Sequence, residues 1–447
     1  MSRDTDSLSR QRAFVHNRWP ERTRLSAVRL IHAGFLLLVL TGGSFASSVF
    51  AQQNDCTNAV ALQHSFSSGA SWSLCAAVNN DHGLTVSSVY YRAPGDSSRS
   101  VLAELHLGQL LLHYHDATEA EPQIRPPQPL RIQPSINATR QLELSTAQEL
   151  RVLTYDDLQD DAQTIEPVRF TERSCNGERL GADSQPDTIC AITKNNRTLA
   201  KYAQRPSLNS QSWELASAFA RDALIWTSAV TFTEDGQIRP AVSLSGRASR
   251  SNTDTRYAAT LPLPIDPLTR ATVFATWRMV FNLDTDAADK IEQFDFPLDN
   301  QSGNRRPMQV SPIITETLRR VDRQTFRGWR MVDGSGAGYY LDPSNNGFSY
   351  SSRSENWAQF DMAFSRLATC ERYALLNIND VSINCGTGLD DFVNGESLID
   401  AVPVVWYSQM RNMDLTLEDW PVISELALSF DLLPFDWTAS SPFELIE

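Results

Sequence analysis

Lysine is nearly absent from this sequence. Its 447 residues include three lysines, at positions 194, 201 and 290, and the formal net charge is −14. An acidic surface of this kind repels phosphate backbones and anionic lipid. The composition therefore argues against nucleic-acid and membrane-surface partners, and it is typical of an exported protein that is kept in solution by its charge.

Histidine is also scarce, and none of the seven lies beyond residue 115. A zinc, copper or iron site built on imidazoles must therefore draw on the N-terminal quarter of the chain, or use cysteine, methionine and carboxylates. His113 and His115 form the one metal-like pair, because alternate residues of a strand share a face. Asp116 or His106 is a candidate third ligand. Two histidines at the end of a strand are more typical of a protein surface, so a metal site here is the weaker interpretation.

Signatures of nucleophilic catalysis and of phosphate binding are missing. G-x-S-x-G does not occur, and the run GSGAG at 334–338 lacks the following helix and lysine of a phosphate-binding loop. We interpret these glycines as a turn between two strands. Aspartates at 156, 157, 160 and 161 lack the ligand order of a calcium loop, and they are interpreted as part of a solvated loop.

The first 51 residues have the pattern of a secretory signal peptide. Seven arginines and three acidic residues give them a net charge of +4, and the apolar run IHAGFLLLVL follows. Val49 and Ala51 are small residues at the positions that a signal peptidase accepts, which predicts cleavage before residue 52. No later segment reaches about 18 uninterrupted apolar residues. The mature chain is therefore expected to be secreted or periplasmic, without a membrane span.

All six cysteines follow this leader. They form three sequence-local pairs separated by 19, 15 and 15 positions: Cys56 and Cys75, Cys175 and Cys190, Cys370 and Cys385. This spacing is typical of disulfides that close loops in an oxidising compartment, each worth about 3 kcal/mol through loop-closure entropy. A metal-thiolate site is disfavoured because no C-x-x-C or Cys-His spacing is present. Spacing alone leaves the pairing open.

Alternation of apolar and polar residues predicts an all-β protein. Residues 225–246 alternate on both sides of Asp235-Gly236, a dipeptide that favours a two-residue type I′ turn, so a β-hairpin is predicted. Helical periodicity is best at 214–224, where its continuation into the hairpin argues against a helix. The even spread of strands, with no linker-like break, predicts one large antiparallel β-sandwich domain over residues 52–447. Further strand-like runs cover 84–93, 100–115, 272–284, 338–343, 401–408 and 425–435.

Residues 404–447 resemble the end of the catalytic domain of copper amine oxidases. In that family a Trp-containing strand leads to a His-x-Pro-x-x-Glu-Asp-x-Pro motif, whose second half is matched here by Glu418-Asp419-Trp420-Pro421. The closing strand of the family has the pattern F-x-L-x-P-x-x-F, which is answered by Phe430, Leu432, Pro434 and Trp437.

Other segments resemble the same domain in the same order. Residues 72–116 are similar to its opening strands, 328–343 to a later hairpin, and TFTEDGQI to the hairpin after the cofactor strand. Cys175 and Cys190 match a disulfide of the family. The resemblance covers most of residues 65–447 and implies the family's β-sandwich, whereas 117–170 match poorly.

Enzymes of this family oxidise primary amines with a copper ion and topaquinone, a cofactor that the protein makes from its own tyrosine. The resemblance places that tyrosine at Leu224, and no tyrosine lies between residues 202 and 257. It places the three copper-binding histidines at Ala271, Val273 and Met413. One thioether with two aliphatic side chains does not make a copper site. We call these four residues the family-site positions.

The expected protein is therefore a catalytically inactive homologue, without copper or topaquinone, that acts as a binding, assembly or structural protein. The family-site positions would line an apolar pocket for a small ligand, or fill the former cavity as core. The resemblance also implies a homodimer, while the small-molecule or protein partner stays open. The alternative is an enzyme after all: a primary amine oxidase with relocated ligands, or another metal-dependent oxidoreductase using His113, His115 and loop carboxylates.

Overall fold

Most of the described chain is β-strand, because apolar and polar residues alternate along it and turn-forming residues separate the runs. The computed structural model describes residues 56–79, 82–114, 152–153, 166–200, 208–221, 224–247, 258–259, 268–269, 271–283, 289–298, 305–343, 360–374, 386, 388–413, 422–438 and 441–443. These residues contain 23 strands and one short helix, α1, Leu389–Phe392.

The strands are numbered in chain order. They are β1 Val60–Ser65, β2 Ser71–Asn79, β3 Gly83–Arg92, β4 Arg99–Tyr114, β5 Val152–Leu153, β6 Glu166–Val168, β7 Glu178–Leu180, β8 Ile189–Ala200, β9 Leu208–Arg221, β10 Leu224–Thr233, β11 Ile238–Arg247, β12 Ala258–Ala259, β13 Leu268–Thr269, β14 Ala271–Phe281, β15 Lys290–Asp295, β16 Gln309–Ile313, β17 Thr317–Arg319, β18 Gly328–Val332, β19 Gly338–Asp342, β20 Met362–Arg366, β21 Pro403–Met413, β22 Val422–Ser429 and β23 Asp431–Phe435.

Two large sheets form the fold, which confirms the predicted all-β antiparallel sandwich. In the first sheet the strand order is β1-β2-β3-β4-β14-β21-β20-β17, and β5 lies parallel to β4. In the second the order is β16-β15-β18-β19-β23-β11-β10-β9-β8-β7, with β22 beside β11 and β6 beside β9. Strands β12 and β13 pair separately. Residues 53–447 group into one compact unit.

Strand β14 is buried on both faces, which explains its nearly continuous apolar sequence, ATVFATWRMVF. Its inner residues, from Val273 through Trp277 to Phe281, belong to the main core between the sheets. On the outer face Val280 packs in a second cluster with Trp406 and the α1 residues Leu389 and Phe392. The first sheet is therefore covered on its outer face near α1.

The predicted hairpin is present, but its predicted two-residue type I′ turn is wrong. Strands β10 and β11 pair from Leu224 opposite Gly246 to Phe232 opposite Ile238. The Thr233 amide donates to the Gln237 carbonyl, which leaves a three-residue loop, 234–236. Gly236 has a φ of +88° while the residue before it does not have a positive φ. A type I′ turn needs two such residues, whereas a three-residue loop needs one glycine in this conformation.

Residues 214–221 are strand and not helix, as the alternating pattern of the following hairpin suggested. Strand β9 extends to Arg221 and pairs with both β8 and β10. Two ordered neighbours satisfy its backbone groups, which outweighs the moderate helix propensity of ELASAFA. The predicted strand 425–435 is two strands, β22 and β23, separated at Phe430. Gly334 and Gly336 of the GSGAG run lie in the turn between β18 and β19, as predicted, and Gly338 begins β19.

Two of the three expected disulfides are observed in full. Cys56 bonds to Cys75 and Cys175 bonds to Cys190. Cys370 is also disulfide-bonded, and Cys385 lies outside the described residues, as do the predicted leader and the aspartates at 156–161. Among the helices of the described part of the chain, none has the length and apolar character to cross a membrane.

Candidate functional site

Three of the four family-site positions lie on neighbouring strands in the middle of the first sheet. Ala271, the first residue of β14, is paired directly with Met413, the last residue of β21. Val273 follows two positions along β14 and is paired with Arg411. The antiparallel register thus brings the three positions together at one end of the two strands.

The surroundings of these positions do not suit a copper ion. Val273 belongs to the main core and is 2% exposed. The guanidinium of Arg411, its cross-strand partner, reaches the second sheet, where Nη1 donates to the backbone oxygen of Ala427 at 2.9 Å. The aliphatic side chains of Ala271 and Val273 offer a copper ion no ligand, and the one thioether of Met413 does not make a copper site. The residues present therefore do not fit copper, and we assign no copper-dependent step to them.

The fourth position, Leu224, lies on the second sheet. It is the first residue of β10 and is paired with Arg221 on β9 and Gly246 on β11. None of these three strands contains a tyrosine. A quinone cofactor made from the protein needs a phenol ring as its precursor, so these strands do not fit topaquinone either.

The alternative histidine site is not assembled in the described part of the chain. His113 on β4 is paired with Thr272 on β14. Because Thr272 stands between Ala271 and Val273, His113 lies beside the family-site positions but out of register with them. His115 and Asp116 lie outside the described residues. His106, the other candidate ligand, lies seven residues before His113 on the same strand, which at roughly 3.4 Å per residue is about 24 Å away. Searched over the described residues, the structure holds no group of three or more His, Cys, Asp or Glu that could bind a metal.

A buried polar cluster on the outer face of the first sheet escaped the sequence analysis. His106 on β4 and Arg278 on β14 are directly paired there, and both are buried. The segment after β20 lies against them, because the Ala374 amide donates to the Gly108 carbonyl at 3.4 Å. We call the following residues the outer-face cluster: His82, Glu104, His106, Arg278, Glu371 and Tyr373.

Contacts within the outer-face cluster are close. The His82 and His106 rings lie 3.9 Å apart between centroids, and the Tyr373 ring lies 5.1 Å from His82. Arg278 Nη1 donates to Glu104 Oε2 at 2.6 Å, and Arg278 Nε donates to the backbone oxygen of Glu371 at 3.1 Å. The guanidinium thus links the sheet to the segment that covers it.

Burial and the Arg278 charge keep both imidazoles neutral. Burial lowers the pKa of His106 to about 3, with a further contribution from Arg278. Burial also lowers the pKa of His82, and the neighbouring His106 and Arg278 add to this effect. Burial raises the pKa of the Glu371 carboxyl to about 7. The planes of the two rings are tilted by 35° to each other at this short distance, which suits the packing of aromatic rings.

Gly108 is the one sequence signal for this arrangement. It is the extra residue of a β-bulge in β4, between the pairs Thr276–Gln109 and Trp277–Leu107. A Cβ at Gly108 would lie 2.9 Å from Cζ3 of Trp406, so the position tolerates only glycine without local movement. A glycine inside a long strand pattern indicates a bulge, but it does not indicate what lies beside it.

This pair of antiparallel sheets is the fold of the copper amine oxidases. A copper-containing benzylamine oxidase from Hansenula polymorpha matches with a TM-score of 0.56 and 14% identity, over 83% of this chain and 59% of that one. An amine oxidase from Aspergillus nidulans matches with a TM-score of 0.52 and 17% identity, over 83% and 52%. A lysyl oxidase from Pichia pastoris matches with a TM-score of 0.54 and 13% identity, also over 83% and 52%.

The likeness at these identities concerns the fold alone. The chain spans 52–59% of the length of these three oxidases. No protein-family model matches the sequence, and no curated protein matches it. The predicted copper amine oxidase-like architecture is confirmed, while activity and partners have to be argued from the residues of this chain.

Proposed function

We propose that this protein is an exported, non-catalytic binding or assembly protein that uses the copper amine oxidase fold without its chemistry. The observation that carries the proposal is the replacement of the metal-binding positions. Ala271, Val273 and Met413 stand together where the resemblance places three histidines, and the Arg411 cation lies beside them. A fold carries an activity only if its site is present.

Val273 serves as packing in this proposal. Val273 is part of the main core, together with Ala275 and Trp277 on the same strand. Polar bonds close the space between the sheets further along β21, where Gln409 Nε2 donates to the Ser429 carbonyl at 2.8 Å. These contacts favour a filled core over an apolar ligand pocket at this place.

Export is supported by the leader pattern and by the cysteines. Loops closed by Cys56–Cys75 and Cys175–Cys190 are stable in an oxidising compartment, which is the periplasm or the cell exterior. The resemblance adds a homodimer to the proposal, with a small molecule or a second protein as the bound partner.

Metal analysis and activity assays on the exported protein test the proposal. After incubation with Cu(II) and dialysis, we expect far less than one copper per chain, no redox-cycling quinone stain, and no peroxide release with a panel of primary amines. A double variant, His113→Ala with His115→Ala, tests whether this histidine pair binds copper.

Stoichiometric copper together with a quinone signal would show that the protein is an enzyme with an atypical site. Copper that is bound by the natural protein and lost in the double variant would identify the metal-dependent oxidoreductase alternative. Copper that survives in that variant without a quinone signal would contradict the account of the family-site positions.

A further inference from the structure

One edge of the sandwich is basic, although the protein as a whole is acidic. Residues 305–327 run along this edge: they include β16, the edge strand of the second sheet, and β17, the edge strand of the first. Six of these 23 residues are arginine, and one glutamate and one aspartate reduce their net charge to +4. The whole chain carries −14, so this edge has the opposite sign to the rest of the molecule. We call residues 305–327 the basic edge.

Both carboxylates of the basic edge are bound to backbone amides and not to its arginines. Glu316 is buried, and its two oxygens accept hydrogen bonds from three backbone amides at 2.8, 3.0 and 3.2 Å. Asp322 accepts the amides of Gln324 and Thr325 at 2.8 and 3.4 Å. These two carboxylates therefore hold the fold of the edge together and leave its positive charge largely uncompensated.

Arg305, Arg319 and Arg320 have no carboxylate partner in the described part of the chain. Arg305 and Arg320 are exposed. Arg319 donates to neutral oxygens, which are the Thr317 hydroxyl and a backbone carbonyl. Burial lowers the pKa of Arg319, and the charge of Arg327 adds to this effect. A guanidinium binds a carboxylate with two parallel hydrogen bonds, so these three side chains can take up carboxylates from outside the chain.

Exposed apolar side chains lie among these charges. Phe326 is 61% exposed and Met308 is 51% exposed. Arg306 joins their segments, because its guanidinium donates to the carbonyls of Phe296 and Gln324 and lies 5.1 Å from the centre of the Phe326 ring. Arg306 is thus used within the chain. Aromatic residues, methionine and arginine are the types that are enriched in protein interfaces, so the mixture favours a protein partner.

The backbone at Phe326 gives an independent indication of function. Its φ is +51°, a left-handed conformation that is uncommon for a residue other than glycine and is adopted most readily by asparagine and aspartate. The turn alone therefore gives no reason for a phenylalanine, and an exposed ring gains little from the core. A strained residue with an exposed aromatic side chain is typical of a binding site.

We propose that the basic edge binds an acidic segment of a partner protein in which carboxylates are combined with apolar side chains. The carboxylates pair with Arg305, Arg319 and Arg320, and the apolar side chains pack against Phe326 and Met308. An acidic polysaccharide has no apolar side chains to cover this ring and thioether, so it is the weaker candidate. The inference rests on the proposed function in one respect, that the protein binds a partner, and it names the chemistry of that partner.

Fluorescence anisotropy of labelled peptides with the full exported protein tests the proposal. The probe is a short peptide that alternates glutamate with leucine. One comparison peptide is an oligoglutamate of the same net charge, and the other replaces each glutamate of the probe by glutamine. We expect the probe to bind at least about tenfold more tightly than either comparison peptide, and polygalacturonate to compete weakly.

Two variants separate the charges from the ring. Arg305→Glu combined with Arg320→Glu is expected to weaken probe binding at least about tenfold. The matched control is Arg169→Glu combined with Arg173→Glu, because these exposed arginines lie just before β7, at the opposite end of the second sheet. Phe326→Asn is expected to weaken binding at least about threefold without lowering stability in urea unfolding, since asparagine suits the positive φ.

A natural protein that does not bind the probe, or equal losses in the two arginine double variants, would overturn the proposal. So would polygalacturonate binding more tightly than the probe, which would identify a polysaccharide site. A Phe326→Asn protein that binds normally but unfolds more easily would show that the ring is structural and would overturn its assignment to the partner. Copper and quinone are measured on the same preparation, so a protein that binds the probe and contains both would contradict only the proposed function.

Discussion

Two opposed titrations in the outer-face cluster make the stability of this protein depend on pH in a way that single substitutions should reveal. His106 has a folded-state pKa of about 3 against an ordinary value of 6.5. Because the folded-state pKa is lowered, the unfolded chain binds more protons than the folded chain below about pH 6.5. The free energy of unfolding therefore decreases as the pH falls. At about pH 5 the loss is roughly 2 kcal/mol, at about 1.4 kcal/mol for each pH unit below 6.5.

Glu371 acts in the opposite direction. Its folded-state pKa is about 7 against an ordinary value of 4.5, and its side chain is buried. Because the folded pKa is raised, the folded chain binds the additional proton, so stability rises as the pH falls from about 7 towards 4.5. At about pH 5 the gain is roughly 2.5 kcal/mol by the same reckoning.

Urea unfolding at about pH 8 and about pH 5 separates the two effects. In His106→Asn the loss disappears, so acidification should stabilise this variant relative to the natural protein by roughly 2 kcal/mol. In Glu371→Gln the gain disappears, so acidification should destabilise it by roughly 2.5 kcal/mol relative to the natural protein. Asp289, whose pKa burial raises to about 6, titrates in the same range but is common to all three proteins.

Equal pH dependence in all three proteins would refute the reasoning. It would mean that water or movement of the covering segment solvates His106 and Glu371 at little cost. A change of the same sign in both variants would also contradict it, because the two groups lie on opposite sides of the linkage relation.

Two further predictions concern the turns and the disulfides. Gly236→Ala and Gly336→Ala both place a side chain at positive φ, but a Cβ at Gly236 meets Tyr91 at 3.1 Å whereas Gly336 has no neighbour within 4 Å. Both should destabilise by about 1 kcal/mol, and Gly236→Ala by about 1–2 kcal/mol more, in urea unfolding; equal effects would show that Tyr91 gives way. Replacing Cys175 and Cys190 together by serine removes a disulfide that spans 15 positions, and it should lower the free energy of unfolding by about 3 kcal/mol in the same assay. An unchanged urea midpoint would show that this loop is already ordered in the unfolded chain.

The strands could be predicted closely because their signal is local. Predicted strands at 84–93 and 100–115 correspond to β3, Gly83–Arg92, and β4, Arg99–Tyr114. The alternation that identifies them arises from the pleat itself, so it is visible in any half-buried strand. The turn at Asp235-Gly236 was less well predicted, since the residue pair fits two loop lengths and only the pairing of β10 with β11 selects one.

The polar cluster could not be predicted, because its members come from distant parts of the sequence. His106 and Arg278 are 172 positions apart, 278 minus 106, and meet only because β4 and β14 are neighbours. Glu371 joins them from a third segment. The one metal-like histidine pair in the sequence, His113 and His115, is a local pattern that carries no information on what lies across the sheet.

The sequence by itself determined the class of fold, and its resemblance to the copper amine oxidases predicted that the copper and quinone residues are missing. Both conclusions depend on residue types, on alternation in the first case and on missing histidines and tyrosine in the second, and residue types need no coordinates. Only the tertiary structure decided that Arg411 is paired with Val273, that the buried rings of His82 and His106 lie against each other, and that β16 is an exposed edge. Each of these depends on which strands become neighbours, and long-range pairing is set by the packing of the whole core.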